Sequence, residues 1–194
     1  RKQLIGEQPN REVLQTKLIN LKIELTELHD NFRKILVSNL KNSGKSNYHR
    51  KLLLVFVELV ELLETAIANP VNYNKMDVLF ETHPEFKADF QKLISEFSFQ
   101  LRAIANQINN SKKISSNKVL FNEFKNLELD ILNVKDETKS EDYERYLMLQ
   151  NFLDYQKKQF EKLKKIKWLL GNPELTSAEL VPTDELKRFI NTQD

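Results

Sequence analysis

Cysteine is absent from the 194 residues. That removes disulfides, zinc–thiolate sites, iron–sulfur clusters and thiol catalysis together. Glycine is nearly as scarce: Gly6, Gly44 and Gly171 stand alone, beside only five prolines. A nucleotide-binding fold uses clustered glycines to bring backbone close to phosphate, and no cluster exists here. A β-sandwich or barrel needs a turn roughly every 8–12 residues, so this little turn material argues against both. A strong excess of one charge is missing too. Lys and Arg number 30 against 28 Asp and Glu, a net +2. Nucleic-acid binders concentrate a basic excess on one face, so no nucleic-acid partner is expected. Arg1–Asn10 has no apolar segment of the kind a signal peptide carries. The start at Arg1, with no initiator methionine, is read as a processed or excised chain.

What is present is helical periodicity. Hydrophobic residues make up 40% of the chain and the mean hydropathy is −0.53, which suits a folding chain rather than a disordered one. From Arg11 to Leu40, Leu14, Leu18, Leu21, Leu25, Leu28, Phe32 and Ile35 recur at alternating steps of four and three. This spacing predicts a long amphipathic helix with the apolar stripe of a bundle member. Asn42–Asn47 is a turn cluster. A second helix is predicted from about Tyr48 to Ala68, apolar almost all round except at Glu58, Glu61 and Glu64. A membrane span needs about 20 apolar residues. Three carboxylates would each cost roughly 2.5–3.5 kcal/mol at the bilayer centre. This helix is therefore expected to be the central, most buried one of a bundle.

Val71–Pro84 reads as a connector with a short helical turn near Lys75–Phe80. Pro84 then suits the first turn of a third helix to Asn109, striped by Phe86, Phe90, Leu93, Phe97, Leu101, Ile104 and Ile108. A fourth follows from Asn117 to Lys135, with Leu120, Phe124, Leu127, Ile131 and Val134 on one side. Ser140 is a good N-cap for a fifth. That helix turns Tyr146, Leu149, Leu153, Phe160, Leu163 and Ile166 inward and stops at Gly171-Asn172-Pro173. The expectation is an all-α fold: an elongated antiparallel bundle of about five main helices. Residues 1–10 read as a linker, 11–171 as the bundle, and 172–194 as a polar tail with a short helix over Thr183–Ile190.

Candidate chemistry is sparse. A carboxylate-bridged di-iron bundle needs Glu-x-x-His on two helices. His29, His49 and His83 are preceded at that spacing by Thr26, Ser46 and Phe80. No metal site is expected, and no other cofactor. No Gly-x-Ser-x-Gly elbow is present, so catalysis is not expected either. Glu58, Glu61 and Glu64, three apart, share roughly one helix face. They suit a cation site or general acids, but more often such a row is a solvated edge or a partner for lysines of a neighbour. Lys157, Lys158, Lys162, Lys164, Lys165 and Lys167 face only Glu161 within their own run, which ends in Trp168. This makes a candidate membrane-facing basic patch for an anionic surface. The plainer alternative is a solvated helix face.

Asn10 to Ile108 resembles the helical segment of the YccS-like branch of the fusaric-acid-resistance (FUSC) inner-membrane proteins. The residues carrying the likeness are Arg50-Lys51-Leu52-Leu53-Leu54, then Glu58-Leu59-Val60-Glu61-Leu62-Leu63-Glu64. Asn69-Pro70-Val71-Asn72-Tyr73 follows, and last Phe90-Gln91-Lys92-Leu93 through Ala103-Ile104-Ala105. The resemblance implies membrane blocks before and after the segment, a transporter or efflux role, for some members with aromatic carboxylic acids, and a place on the cytoplasmic side of the bacterial inner membrane. It carries no catalytic or substrate residue onto this segment. The expected role is regulatory or assembly work within such a protein. The expected partners are the membrane blocks of the parent chain, further copies in a homo-oligomer, and an anionic membrane surface. The competing reading is a free-standing helical adaptor that binds a partner helix in a groove.

Overall fold

The computed structural model describes residues 11–43, 47–68, 71–110, 117–136 and 140–172. They form six helices and no strand: α1 (Arg11–Ser43), α2 (Asn47–Ile67), α3 (Tyr73–Thr82), α4 (Pro84–Asn110), α5 (Lys118–Asp136) and α6 (Ser140–Gly171). The fold is all-α, as the periodicity predicts. The expected linker over residues 1–10 and the tail helix over Thr183–Ile190 lie outside the described residues.

The connector after α2 holds a full helix rather than a short turn. The Asn72 side chain accepts from the backbone N–H of Asn74 at 3.1 Å and of Lys75 at 3.2 Å, which satisfies donors that a helix start leaves orphaned. Met76, Leu79 and Phe80 then recur at steps of three and one, and all three are buried. At the far end of the chain, the Asn172 amide donates to the carbonyl of Trp168 at 2.7 Å and closes the last turn of α6.

Contacts across the interfaces set the directions. Between α2 and α6, Lys51 reaches Asn172 while Ala66 meets Tyr155, so the two run antiparallel. Between α5 and α6, Asn117 meets Lys167 and Glu128 meets Lys157, again antiparallel. Phe90 packs on Phe152 and Gln100 on Lys167, so α4 runs parallel to α6. The result is an up-and-down arrangement in which α6 packs against α2, α4 and α5.

This moves the centre of the bundle. α2 is well buried, with Leu53 through Glu58 and Leu62 out of water, but α6 rather than α2 is the shared partner. Leu149, Leu153, Leu163 and Ile166 of α6 are fully enclosed. The expected stripes of α4 and α5 face the same core: Phe86, Phe90, Leu93, Phe97 and Ile104 from one, Leu120, Phe124, Leu127 and Ile131 from the other. Ile108, at the end of the α4 stripe, is exposed.

α1 departs most from expectation. It packs on α2 near its C-terminal end, where Leu36, Leu53 and Phe56 form a small separate cluster. His29 and Phe32 rest on the Phe56 ring, with centroids at 5.5 and 6.0 Å. The apolar stripe lies beside this contact rather than under it. Leu21, Leu25, Leu28, Phe32 and Ile35 are 40–56% exposed. The reason is geometric. His29 and Leu36, which meet α2, are rotated by roughly 60° from the centre of the stripe, and of the stripe itself Phe32 reaches Phe56.

Candidate functional site

The acidic row of α2 and the basic run of α6 meet. Glu58 sits within the apolar stretch of α2 and is only 1% exposed. Lys162 and Lys165, one helical turn apart on α6, bracket its carboxylate. Lys165 pairs with Oε1, and Lys162 stands 3.5 Å from Oε2. Lys162 also donates to Glu61, one turn further along α2. Antiparallel helices place i and i+3 carboxylates opposite i and i+3 amines in this way. Burial alone would lower the pKa of Lys162. The hydrogen bond to Glu61 and the charges of Glu58 and Glu61 outweigh it and hold the amine above its ordinary value. Glu64, the third of the row, is exposed. The acidic row is therefore a helix–helix ion-pair seam at Glu58 and Glu61.

The remaining lysines do not share one face. Residues 157–167 wind almost three turns round α6, and Lys167 points roughly 140° away from Lys162. Lys157 pairs with Glu128 of α5 at 2.6 Å. Lys164 pairs with Glu161 at 2.7 Å, and its amine stands 5.2 Å from the centre of the Phe160 ring. Lys158 is exposed. Trp168, 48% exposed, lines a shallow depression with Glu161, Lys162, Lys164 and Lys165. Lys167 corrects the reading of this run as one basic surface. It is 5% exposed, and its ammonium donates to Oε1 of Gln100 at 2.6 Å and to Oδ1 of Asn117 at 2.7 Å. Gln100 in turn donates to Glu96 at 2.6 Å. Burial lowers the Lys167 pKa, and the Glu96 charge partly opposes this.

Two features escape a reading by charge and motif. The Lys167–Gln100–Asn117 network is one. Its signal is polar residues in apolar phase: Lys167 follows Leu163 by four, and Gln100 lies three after Phe97 and four before Ile104. The other is an open groove of about 970 Å³ between the end of α2, α3 and α6. Met76, Met148, Phe152 and Tyr155 line it together with Lys75 and Lys158. Its parts come from three helices distant in sequence, and no local spacing announces them. Among the described residues, no group of three His, Asp or Glu converges as a metal site would need.

A family model described as FUSC-like inner membrane protein YccS matches residues 6–166. The chain belongs to the FUSC-like family. The match runs past the Asn10–Ile108 resemblance and takes in α1 to α5, most of α6 and the Glu58–Lys165 seam. No curated protein and no solved structure matches the chain. Membership makes this FUSC-like chain a relative of inner-membrane, transporter-related proteins. No helix among its described residues is long and apolar enough to cross a membrane.

Proposed function

We propose that this chain is the helical assembly domain of a FUSC-like inner-membrane transporter. It acts on the cytoplasmic side by holding parts of the assembly together, not by transforming a substrate. The observation that carries the reading is α1. A helix matched by the family model exposes a row of large apolar side chains at 40–56%. Single exposed apolar residues are ordinary, but a contiguous row marks an interaction surface. The ion-paired and enclosed interior of α2, α4, α5 and α6 supports the same view, since it builds a rigid body on which α1 is mounted. The coarser statement, membership of an inner-membrane family, does not depend on this role.

The test uses the full-length parent protein in its native membrane. Deleting residues 11–43 should leave the protein membrane-bound but abolish its oligomer on native gels. An unchanged oligomer would refute the assembly role. Protease added from the cytoplasmic face only should cut the interhelical loops. Cleavage from the opposite face instead would refute the sidedness.

A further inference from the structure

We infer that the partner of α1 is α1 of a second copy of this chain, paired antiparallel along Leu14, Leu18, Leu21 and Leu25. The inference deepens the assembly reading and rests on it. The alternating four-three steps are a heptad repeat of period 3.5, with Leu18, Leu25 and Phe32 at one core position and Leu14, Leu21 and Leu28 at the other. A straight helix drifts by ~20° per heptad from such a repeat, so a sequence that keeps it specifies a supercoiled helical partner. α2 does not fill that role over Leu14–Leu25, because it meets α1 further along, at His29, Phe32 and Leu36. A second α1 carries the same repeat.

The covered flank fixes the orientation. α2 occupies the side of His29 and Leu36, which Lys22 shares by helical phase; Lys17, Glu24 and Asn31 on the other side are exposed. In a parallel pair each flank combines one covered side with one open side, so α2 obstructs both. It would also set Lys17 against Lys22 of the second copy. In an antiparallel pair the two open sides face each other. The register that matches Leu14 with Leu25 and Leu18 with Leu21 sets Lys17 opposite Glu24 twice over. Sliding by one heptad lengthens the seam but sets Glu24 against Glu24. Leu21 and Leu25 are exposed and Leu14 and Leu18 half-buried, so the four leucines, with the stems of Lys17 and Glu24, cover on the order of 300–400 Å² per copy, about 600–800 Å² in all, the size of a weak, reversible association. The contact engages the half of α1 that lies beyond the Leu36–Phe56 cluster.

The experiment is sedimentation equilibrium of the 194-residue chain at about 1–100 µM, a range that brackets the affinity of so small an interface. The expected result is a reversible monomer–dimer equilibrium. Leu21→Lys/Leu25→Lys should be monomeric throughout with unchanged helical circular dichroism. Ile23→Lys should dimerise like the parent. Ile23 is 54% exposed, as Leu21 is at 52%, but it lies on the opposite side of α1. Lys17→Glu should weaken the dimer about tenfold, since two attractions become repulsions. Lys17→Glu/Glu24→Lys should restore it. A monomer at every concentration overturns the inference. So does a dimer that survives Leu21→Lys/Leu25→Lys, or one that the charge swap fails to restore. The assembly reading fails separately, on the native-gel result for the parent protein.

Discussion

The ammonium of Lys167 on α6 donates to Oε1 of Gln100 on α4 at 2.6 Å, inside the core. An amine this enclosed keeps its place because two side-chain carbonyls accept from it; removing it costs both of those hydrogen bonds. Lys167→Ala should cost about 1–3 kcal/mol, combining the lost apolar stem with the two lost hydrogen bonds. The pH dependence follows from the lowered pKa. The unfolded chain binds this proton more tightly than the folded one, so between the folded pKa and the ordinary value of 10.5 stability rises with pH. Urea midpoints taken from about pH 8 upward should therefore rise in the parent relative to Lys167→Met. Parallel curves for the two proteins would refute the assignment.

The Glu58 seam gives a second outcome. A buried carboxylate deprived of its cations is far worse than no carboxylate. Lys162→Met/Lys165→Met should cost about 3–5 kcal/mol, by leaving Glu58 uncompensated. Adding Glu58→Leu to that pair should recover most of the loss. The changes are thus strongly non-additive. Chemical denaturation of the three proteins checks this, and simple additivity would show that the seam is not coupled.

The residues differ in how much of this they reveal in advance. Leu120, Phe124, Leu127 and Ile131 announce a helix, and its apolar face is buried because α4 and α6 pack on it. The stripe of α1 announces its helix equally well. Periodicity, however, reports that a face is apolar and not what covers it, and here α2 reaches the stripe at Phe32 while Leu21, Leu25, Leu28 and Ile35 stay exposed. α3 is harder to see because it is only ten residues long. Its stability comes from the Asn72 cap and from Met76, Leu79 and Phe80 joining the shared core, which are partly tertiary facts. The basic run misleads for a different reason. Counting charge along the chain ignores helical phase, and phase is what sends Lys167 inward and Lys162 towards Glu58. The groove at Tyr155 is not legible at all from spacing.

Asp89 on α4 is held above the ordinary carboxyl value. Burial is the largest cause and Asp130 of α5 the next, with Lys92 opposing them and Glu123 and Glu85 adding to the rise. A raised carboxyl pKa means the folded chain binds the proton more tightly, so this residue costs stability once pH rises above the interval beginning at 3.8. Asp89→Asn should stabilise the fold at neutral pH by under about 1 kcal/mol, since the group is half-buried and water still screens much of its charge. The gain should shrink towards zero as pH falls through that interval. A gain that persisted in acid would point to the amide's own hydrogen bonding instead.

The position of α6 as shared partner makes the final prediction. Leu163 is fully enclosed on the helix that packs against α2, α4 and α5. Truncating it removes contacts on a helix that three neighbours share and opens a cavity the bundle cannot readily close. Leu163→Ala should cost about 2–5 kcal/mol. Leu62→Ala on α2, 7% exposed, faces fewer helices and should fall in the lower half of that range. Leu28→Ala on α1, 56% exposed, should change the stability of the monomer by no more than about 0.5 kcal/mol. Thermal and urea unfolding at low protein concentration give all three. A Leu62→Ala cost equal to or larger than that of Leu163→Ala would return the centre of the bundle to α2. A large cost at Leu28 would mean that α1 is held to the body more tightly than its exposed stripe allows.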